Sequence, residues 1–444
     1  MRALLVTYYF PPAGGGGVQR VLGWCRHLPA FDVEVTVLAP AEPHWVDADP
    51  TLVIPPATQV IRTIDPSPAA VIPREALAGT RGLRRIGRWL SLQPRRFALP
   101  DIHVRWRRPA VRAALDAARQ LPAHERWDVV ISSSPPETTH VVARDIARAL
   151  DLPWVADFRD SWLDLPHLRL DRVGPRIKHA RSVRLARRVL RHASAITTVS
   201  EPLAVDLRRH HPHARVHVIE NGVERTDVAR AEPRAEGYRE RDRFVVLYTG
   251  NFFGRQSPAT LLDAVEQAVA EDPALAQDLV LRFIGGLKPV DRDRIAGSTQ
   301  LASVVDHVEF LRHDDVLAHQ RAADLLYLYV APGTRSAGVF TGKVFEYVAA
   351  RRPVLALVPA DNVCVELLDA AGSTRHGGGA RVDPDDVAAI AAALHRAHGA
   401  WVGARDEPRT DIDVPPAVLD RIDRASGARQ LRDVLTSVLA TKAD

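Results

Sequence analysis

Lys343 and Glu346 stand three residues apart in APGTRSAGVFTGKVFEYVAARRPVLAL (331–357), so on a helix they share one face. A helix starting near Thr341 puts Lys343 in its first turn, with Arg335 close by, at the end where the backbone dipole disfavours a cation. An anionic ligand such as a diphosphate would remove that penalty; the plain alternative is a surface ion pair. TGNFFGRQSP (249–258) repeats the pattern. Gly250 and Gly254 frame Asn251, and Arg255 stands just before the Ser257-Pro258 start of a helix. In YYFPPAGGGGVQR (8–20), four glycines, Gly14 to Gly17, join a strand-like run to a helix. Glycine lets backbone amides approach an anion at a helix N-terminus. The dinucleotide fingerprint fails, because Gln19 or Arg20 takes the place of its third glycine, and no Gly-Lys-Ser/Thr phosphate loop is present. PWVADFRDSW (153–162) sets Arg159 between Asp157 and Asp160 just past a strand, as an ion-pair cluster or as a polar wall of a substrate cleft. His140 is a lone histidine on the first turns of its helix, a setting more often structural than catalytic.

Metal chemistry has little support. DAD (47–49) and DID (411–413) follow no clear strand, and His213 and His217 have zinc-pair spacing but lead into a strand after Pro212. Two cysteines, Cys25 and Cys364, exclude a disulfide scaffold and a cysteine zinc cluster. No Gly-x-Ser-x-Gly elbow points to acyl transfer.

The elements that position these residues alternate along the chain. Strand-like runs are ALLVTYY (3–9), VEVTVLAP (33–40), WDVVIS (127–132), PWVAD (153–157), AITTVS (195–200) and VHVIE (216–220), then FVVLYTG (244–250), LVLRFIG (279–285), HVEFL (307–311), DLLYLYV (324–330) and RPVLALV (352–358). Amphipathic stretches separate most of them, which implies parallel sheets covered by helices on both faces. In such sheets ligands bind beyond the carboxyl ends of the strands, where the motifs above fall. SPPE (134–137) reads as a capping box opening the helix at 137–150. The polar segment 226–242, with Pro233 and Gly237, reads as an interdomain linker. Domains of 1–225 and 243–410 follow, with a last helix at 426–444 that sits far in sequence from the second series of strands.

Composition agrees with two globular domains. The 444 residues are 46% hydrophobic and 25% charged, enough apolar side chain for two cores. A net charge of +5 predicts no nucleic-acid partner. Basic residues concentrate at 81–108 and 169–191, as solvated helix faces or as faces toward a phosphorylated ligand or an anionic membrane. No run reaches a membrane-spanning length, and MRALLVTYYFPPAGGGG reads as a first strand rather than a leader, so the expected location is the cytoplasm, with contact at the inner membrane face left open.

YYFPPAGGGGVQR, PWVADFRDSW, VIENGVE (218–224) and above all TGKVFEYVAARRPVLAL (341–357) resemble, in order and over nearly the whole chain, the family 4 glycosyltransferases. The resemblance implies the GT-B fold, two Rossmann-like doubly wound parallel-sheet domains facing across a cleft, with the final helix returning to the N-terminal domain. It implies a retaining transfer from a nucleoside-diphosphate sugar, with no cofactor and no required metal. Glu346 would bind the nucleotide ribose, Lys343 and Arg255 the diphosphate, and amides near Gly16 and Gly17 would complete that site. Gly250, Asn251, Phe340, Thr341 and Gly342 are the remaining donor-side candidates. Arg20, Asp157, Arg159 and Trp162 are the acceptor-side candidates, and His140, Arg159 and Asp160 join Lys343 and Arg255 as catalytic candidates. Three positions depart from the family pattern. Gly338 stands where a second Glu is common, Gln256 beside Arg255 where a phosphate-binding Lys is usual, and Arg159 where a catalytic-side His is usual. The expected acceptor is a small natural product or a lipid-linked surface glycan. An unusual donor or a non-glycosidic bond, a sugar-nucleotide epimerase, and a non-catalytic nucleotide-sugar-binding subunit are the competing readings.

Overall fold

The computed structural model describes residues 1–42, 49, 51–67, 98–162, 173–252, 256–333, 336–338, 340–407 and 410–443. The chain divides into two compact units, Met1–Glu220 with Gly427–Asp444, and Asn221–Ser426.

The first unit is built on a seven-stranded sheet: β1 (Arg2–Thr7), β2 (Glu34–Pro40), β3 (Gln59–Thr63), β4 (Val129–Ser134), β5 (Trp154–Phe158), β6 (Ala195–Thr198) and β7 (Val216–Val218), in the order β3-β2-β1-β4-β5-β6-β7. Every pairing is parallel. Because side chains alternate across a strand, each face collects its own core. Leu4 and Val6 pack with Val130, Ala156 and Ile196, whereas Ala3 and Leu5 pack with Val129, Ile131, Val155 and Ala195. The helix Arg424–Ala443 closes the second of these faces, adding Ala428, Leu431, Val434, Leu435 and Val438 beside Trp24 and Cys25.

The second unit repeats the plan with β8 (Phe244–Thr249), β9 (Leu279–Ile284), β10 (Val305–Val308), β11 (Leu325–Tyr329), β12 (Val354–Leu357) and β13 (Ala380–Val382), all parallel, in the order β10-β9-β8-β11-β12-β13. Phe244, Val246 and Tyr248 face one core, Val245 and Leu247 the other.

Three local expectations need correction. Segment 226–242, read as an interdomain linker, lies within the second unit and is ordered as a helix, Arg225–Ala235, running through position 233, and a 3-10 turn, Glu236–Tyr238. Its charges pair with the helix His313–Ala322 of the same unit, through Arg321 to Glu232 at 2.7 Å and Tyr238 to Asp315 at 2.9 Å, over an apolar contact of Ala231 with Leu317 and Ala318. Ser134 and Glu137 form no capping box. Ser134 ends β4, and the helix Thr138–Leu150 is capped by Asp101, which accepts from the Thr138 amide at 2.7 Å and its hydroxyl at 2.8 Å. Burial first, then the Asp101 charge, pushes the Glu137 carboxyl up to about 8. β10 starts and ends earlier than HVEFL suggests, leaving Phe310 70% exposed.

Among the described residues no helix is long and apolar enough to cross a membrane. Much of 81–108 lies outside the described residues. The stretch 169–191 forms, from Val173 to Leu190, one helix.

Candidate functional site

The donor-side candidates gather at the carboxyl ends of β8 and β9. β8 ends at Thr249, and the chain turns at Gly250 with φ +113°, which a side chain rarely adopts. A Cβ on Gly250 would lie 3.0 Å from Lys343 Nζ. The Gly250 amide donates to Ile284 O at 2.8 Å, and the Asn251 side-chain oxygen accepts from the Gly286 amide. Gly285, at φ +123°, leaves no room for a side chain: its Cβ would sit 2.4 Å from Gly250 O. Gly285→Ala should therefore displace this turn at a cost on the order of 1–3 kcal/mol. A lowered melting temperature together with weakened nucleotide binding is the expected pair of results.

Lys343 opens the helix Lys343–Ala350, with Gly342 as its N-cap and no side-chain cap. Its Nζ donates to Tyr248 Oη at 3.1 Å and lies 4.5 Å from the Tyr248 ring centroid. That ring is fixed by stacking on Phe252, centroids 4.3 Å apart. Burial pushes the Lys343 ammonium down to about 8, opposed by the Glu346 charge. The residue is a cation held, at a cost, where amide N–H groups converge. One helical turn on, Glu346 Oε2 accepts from Gln320 Nε2 at 2.9 Å. Thr341 contributes its carbonyl to the Val344 amide at 3.1 Å, Gly342 is exposed, and Phe340 packs on Phe345 with centroids 5.1 Å apart. Arg255, Gly254 and Arg335 lie outside the described residues.

In the first unit the glycine loop leads into the helix Gly16–His27, whose N-cap Gly15 has φ +86°. Among the described residues no side chain caps this helix and no acid occupies its first turn, so the Gly16 and Gly17 amides stand at a positive helix end. Arg159 braces the loop. It donates from Nε to Ser134 O at 2.8 Å, from Nη2 to Pro135 O at 2.9 Å, and from Nη1 to Gly17 O. With all three nitrogens on backbone carbonyls, Arg159 braces the glycine loop against the end of β4.

Arg20 and Asp157 form a buried bidentate pair at 2.8 and 3.1 Å. Asp157 also accepts from Ser133 at 2.8 Å and Thr197 at 2.8 Å, and Arg20 donates to Glu220 O at 3.0 Å. These two knit β4, β5, β6 and the first helix together. Trp162 is likewise inside, 2% exposed, donating to Ser182 Oγ at 3.2 Å. His140 is fully buried against Phe158 and Trp162, with Nδ1 2.8 Å from Ser132 Oγ. Burial pushes its pKa down to about 3, so the ring is neutral and packed. Asp160 is the exposed member of the group. Asp411, from the DID match, pairs with Arg321 and Arg352.

Residues 15–222 match the family model described as Glycosyl transferase 4-like domain, and residues 243–399 match the one described as Glycosyl transferases group 1. The chain belongs to the family 4-like glycosyltransferases. Solved structures place this glycosyltransferase in the GT-B fold. Sucrose-phosphate synthase from Thermosynechococcus elongatus is 18% identical with a TM-score of 0.61, over 99% of this chain and 100% of that one. Anabaena HepE, in complex with UDP, is 16% identical with a TM-score of 0.59, over 98% and 100%. The α,α-trehalose 6-phosphate synthase from Burkholderia multivorans is 17% identical with a TM-score of 0.61, over 100% and 98%. No curated protein sequence matches the glycosyltransferase.

Gln320, Thr249 and Tyr248 belong to this site; Thr249 and Tyr248 lie inside the quoted runs without being singled out there, and Gln320 lies outside every quoted motif. Gln320 had one sequence signal, a polar residue three positions after Leu317 on a face that also holds Ala318 and Ala322.

Proposed function

We propose that this glycosyltransferase moves a sugar, with retention at its anomeric carbon, from a nucleoside-diphosphate sugar held in the second unit. The observation that carries the reading is Lys343: a half-buried, weakened cation at a helix N-terminus, beside a turn stripped of side chains at Gly250 and Gly285. A diphosphate would pair with this cation and with the converging helix amides. Lys343 and the helix amides would then stabilise the charge that grows on the departing diphosphate, where fixed donors favour the transition state over the ground state. Glu346, an acceptor-only carboxylate, would take the hydroxyls of the nucleotide ribose. Arg255 would add a second cation, and Thr341, Gly342, Gly250 and Asn251 backbone contacts. Gly16 and Gly17 would offer amides to an anion at the start of their own helix.

A saccharide acceptor is favoured by the structural relatives, two of which are named for sugar-phosphate synthesis. A UDP donor is favoured by the Anabaena relative, solved with UDP-glucose as well as UDP. A cytoplasmic setting, with the exposed arginines of Val173–Leu190 facing an anionic acceptor or membrane face, belongs to the same reading and rests on charge alone.

The test is thermal unfolding with UDP-, GDP-, ADP- and dTDP-sugars, with and without EDTA. A ligand that binds only the folded chain raises its apparent stability by mass action. One base giving an EDTA-insensitive rise is the expected result; no rise with any of the four sinks the donor reading. With the base known, Glu346→Ala should weaken donor affinity roughly tenfold or more, as loss of a charged hydrogen-bonding group does, when measured by calorimetry.

A further inference from the structure

Gln320 lies on the helix His313–Ala322, fully buried, with its amide between two elements of the donor side. Nε2 donates to Glu346 Oε2 at 2.9 Å and to Thr249 Oγ1 at 3.0 Å. A carboxylate only accepts, so the NH2 end of the amide must face Glu346; the reverse orientation would set two oxygens against each other. Thr249 is itself held. Its amide donates to Tyr347 Oη at 3.1 Å, and the same phenol lies 3.3 Å from Thr249 Oγ1. The amide, the last residue of β8 and the helix bearing Lys343 are thus joined through three side chains.

The feature that folding does not explain is the other end of the amide. Gln320 Oε1 is buried and has no hydrogen-bond partner among the described residues. An unpartnered buried oxygen is a standing cost, and a leucine of similar volume would remove it. Gln320 is the only hydrogen-bond donor found for the Glu346 carboxylate among the described residues. Without it, that side chain could rotate freely about its last bonds.

We infer that Gln320 is a positioning residue that locks the Glu346 carboxylate in the orientation that receives a ribose hydroxyl pair. The inference rests on the donor-site reading above and extends it to a residue that touches no ligand. One carboxylate oxygen is engaged by the protein, and the group is presented to the ligand in a single orientation. Selection for ribose over deoxyribose is then a property of Gln320 as well as of Glu346. A hydroxyl is rewarded only where its acceptor is already in place.

The experiment compares UDP, GDP and ADP, each beside its 2′-deoxy counterpart, by calorimetry on the wild-type chain, Gln320→Leu and Gln320→Glu. The wild type should prefer one ribonucleotide over its deoxy form by roughly tenfold, the worth of a hydrogen bond to a charged group. Gln320→Leu should melt no lower than wild type and should lose most of that preference, through weaker binding of the ribonucleotide alone. Gln320→Glu, which sets one carboxylate against another, should bind the ribonucleotide more weakly still. Equal weakening of both forms would show a merely structural role, and an unchanged ratio in Gln320→Leu would show no role; either overturns the inference. A wild type that binds none of the three nucleotides would instead overturn the donor-site reading, so the two failures are separate.

Discussion

Lys343→Ala is expected to lower turnover on the order of a hundredfold or more, the scale seen when one fixed donor to a developing anion is removed. Its melting temperature should stay close to that of the wild type, because the free protein holds this ammonium against its burial. Initial rates at saturating donor, with a melting curve beside them, make the measurement; unchanged turnover sinks the diphosphate role. The same residue gives a pH signature. Burial sets its folded pKa at about 8, below the ordinary value of 10.5. Between those values the unfolded chain binds the proton more readily than the folded one, so Lys343's contribution to the free protein's stability rises with pH across that window. Nucleoside-diphosphate affinity runs the other way. It depends on the protonated form, so it is level below about pH 7 and falls above 8, by no more than roughly tenfold per pH unit. Lys343→Met should remove both slopes. A methionine variant that keeps the fall in affinity would assign the titration to another group.

Asp157→Ala should be the most damaging single change in the first unit, costing about 3–5 kcal/mol, the scale for leaving one member of a buried pair alone. Arg20 would stay buried opposite an empty site, and Ser133 and Thr197 would each lose an acceptor. Seven of the eight tryptophans precede residue 221, so tryptophan fluorescence reports mainly on this unit during denaturation. The expected result is a lower midpoint in that signal, with nucleotide binding by the second unit retained at low temperature. Loss of less than about 1 kcal/mol would mean that the pair adds little to this fold.

The central strands were legible because a parallel strand buried on both faces is a continuous apolar run. ALLVTYY, FVVLYTG and DLLYLYV all mark real strands. β3 and β13 were not legible. They are two of the four edge strands, and QVIRT and ARV carry polar residues and no continuous apolar run; the other two edges, β7 and β10, were read only from runs that extend beyond them. Segment 226–242 misled because a helix held by ion pairs to a neighbouring helix looks, in composition, like a solvated connector. In the candidate site, Lys343 and Glu346 could be read in one dimension, since their oddity is a charge at the wrong helix end. The division of labour around Arg159 could not. An arginine that braces three carbonyls and one that grips a substrate are the same letter, and only the positions of Gly17, Ser134 and Pro135 separate them. His140 and Trp162 likewise differ from accessible site residues only by burial.

The first unit is interrupted in sequence: its core takes Ala428 to Val438 from the helix Arg424–Ala443, while residues 221–426 form the second unit as one uninterrupted stretch. During synthesis the second unit can therefore reach its native contacts while the first still exposes one face of its sheet, over Ala3, Leu5, Val129 and Ile131, as the ribosome completes some two hundred further residues. That interval is the window in which a nascent chain would depend on a holdase, and a stalled or clipped product lacking 427–443 would carry that sticky face permanently.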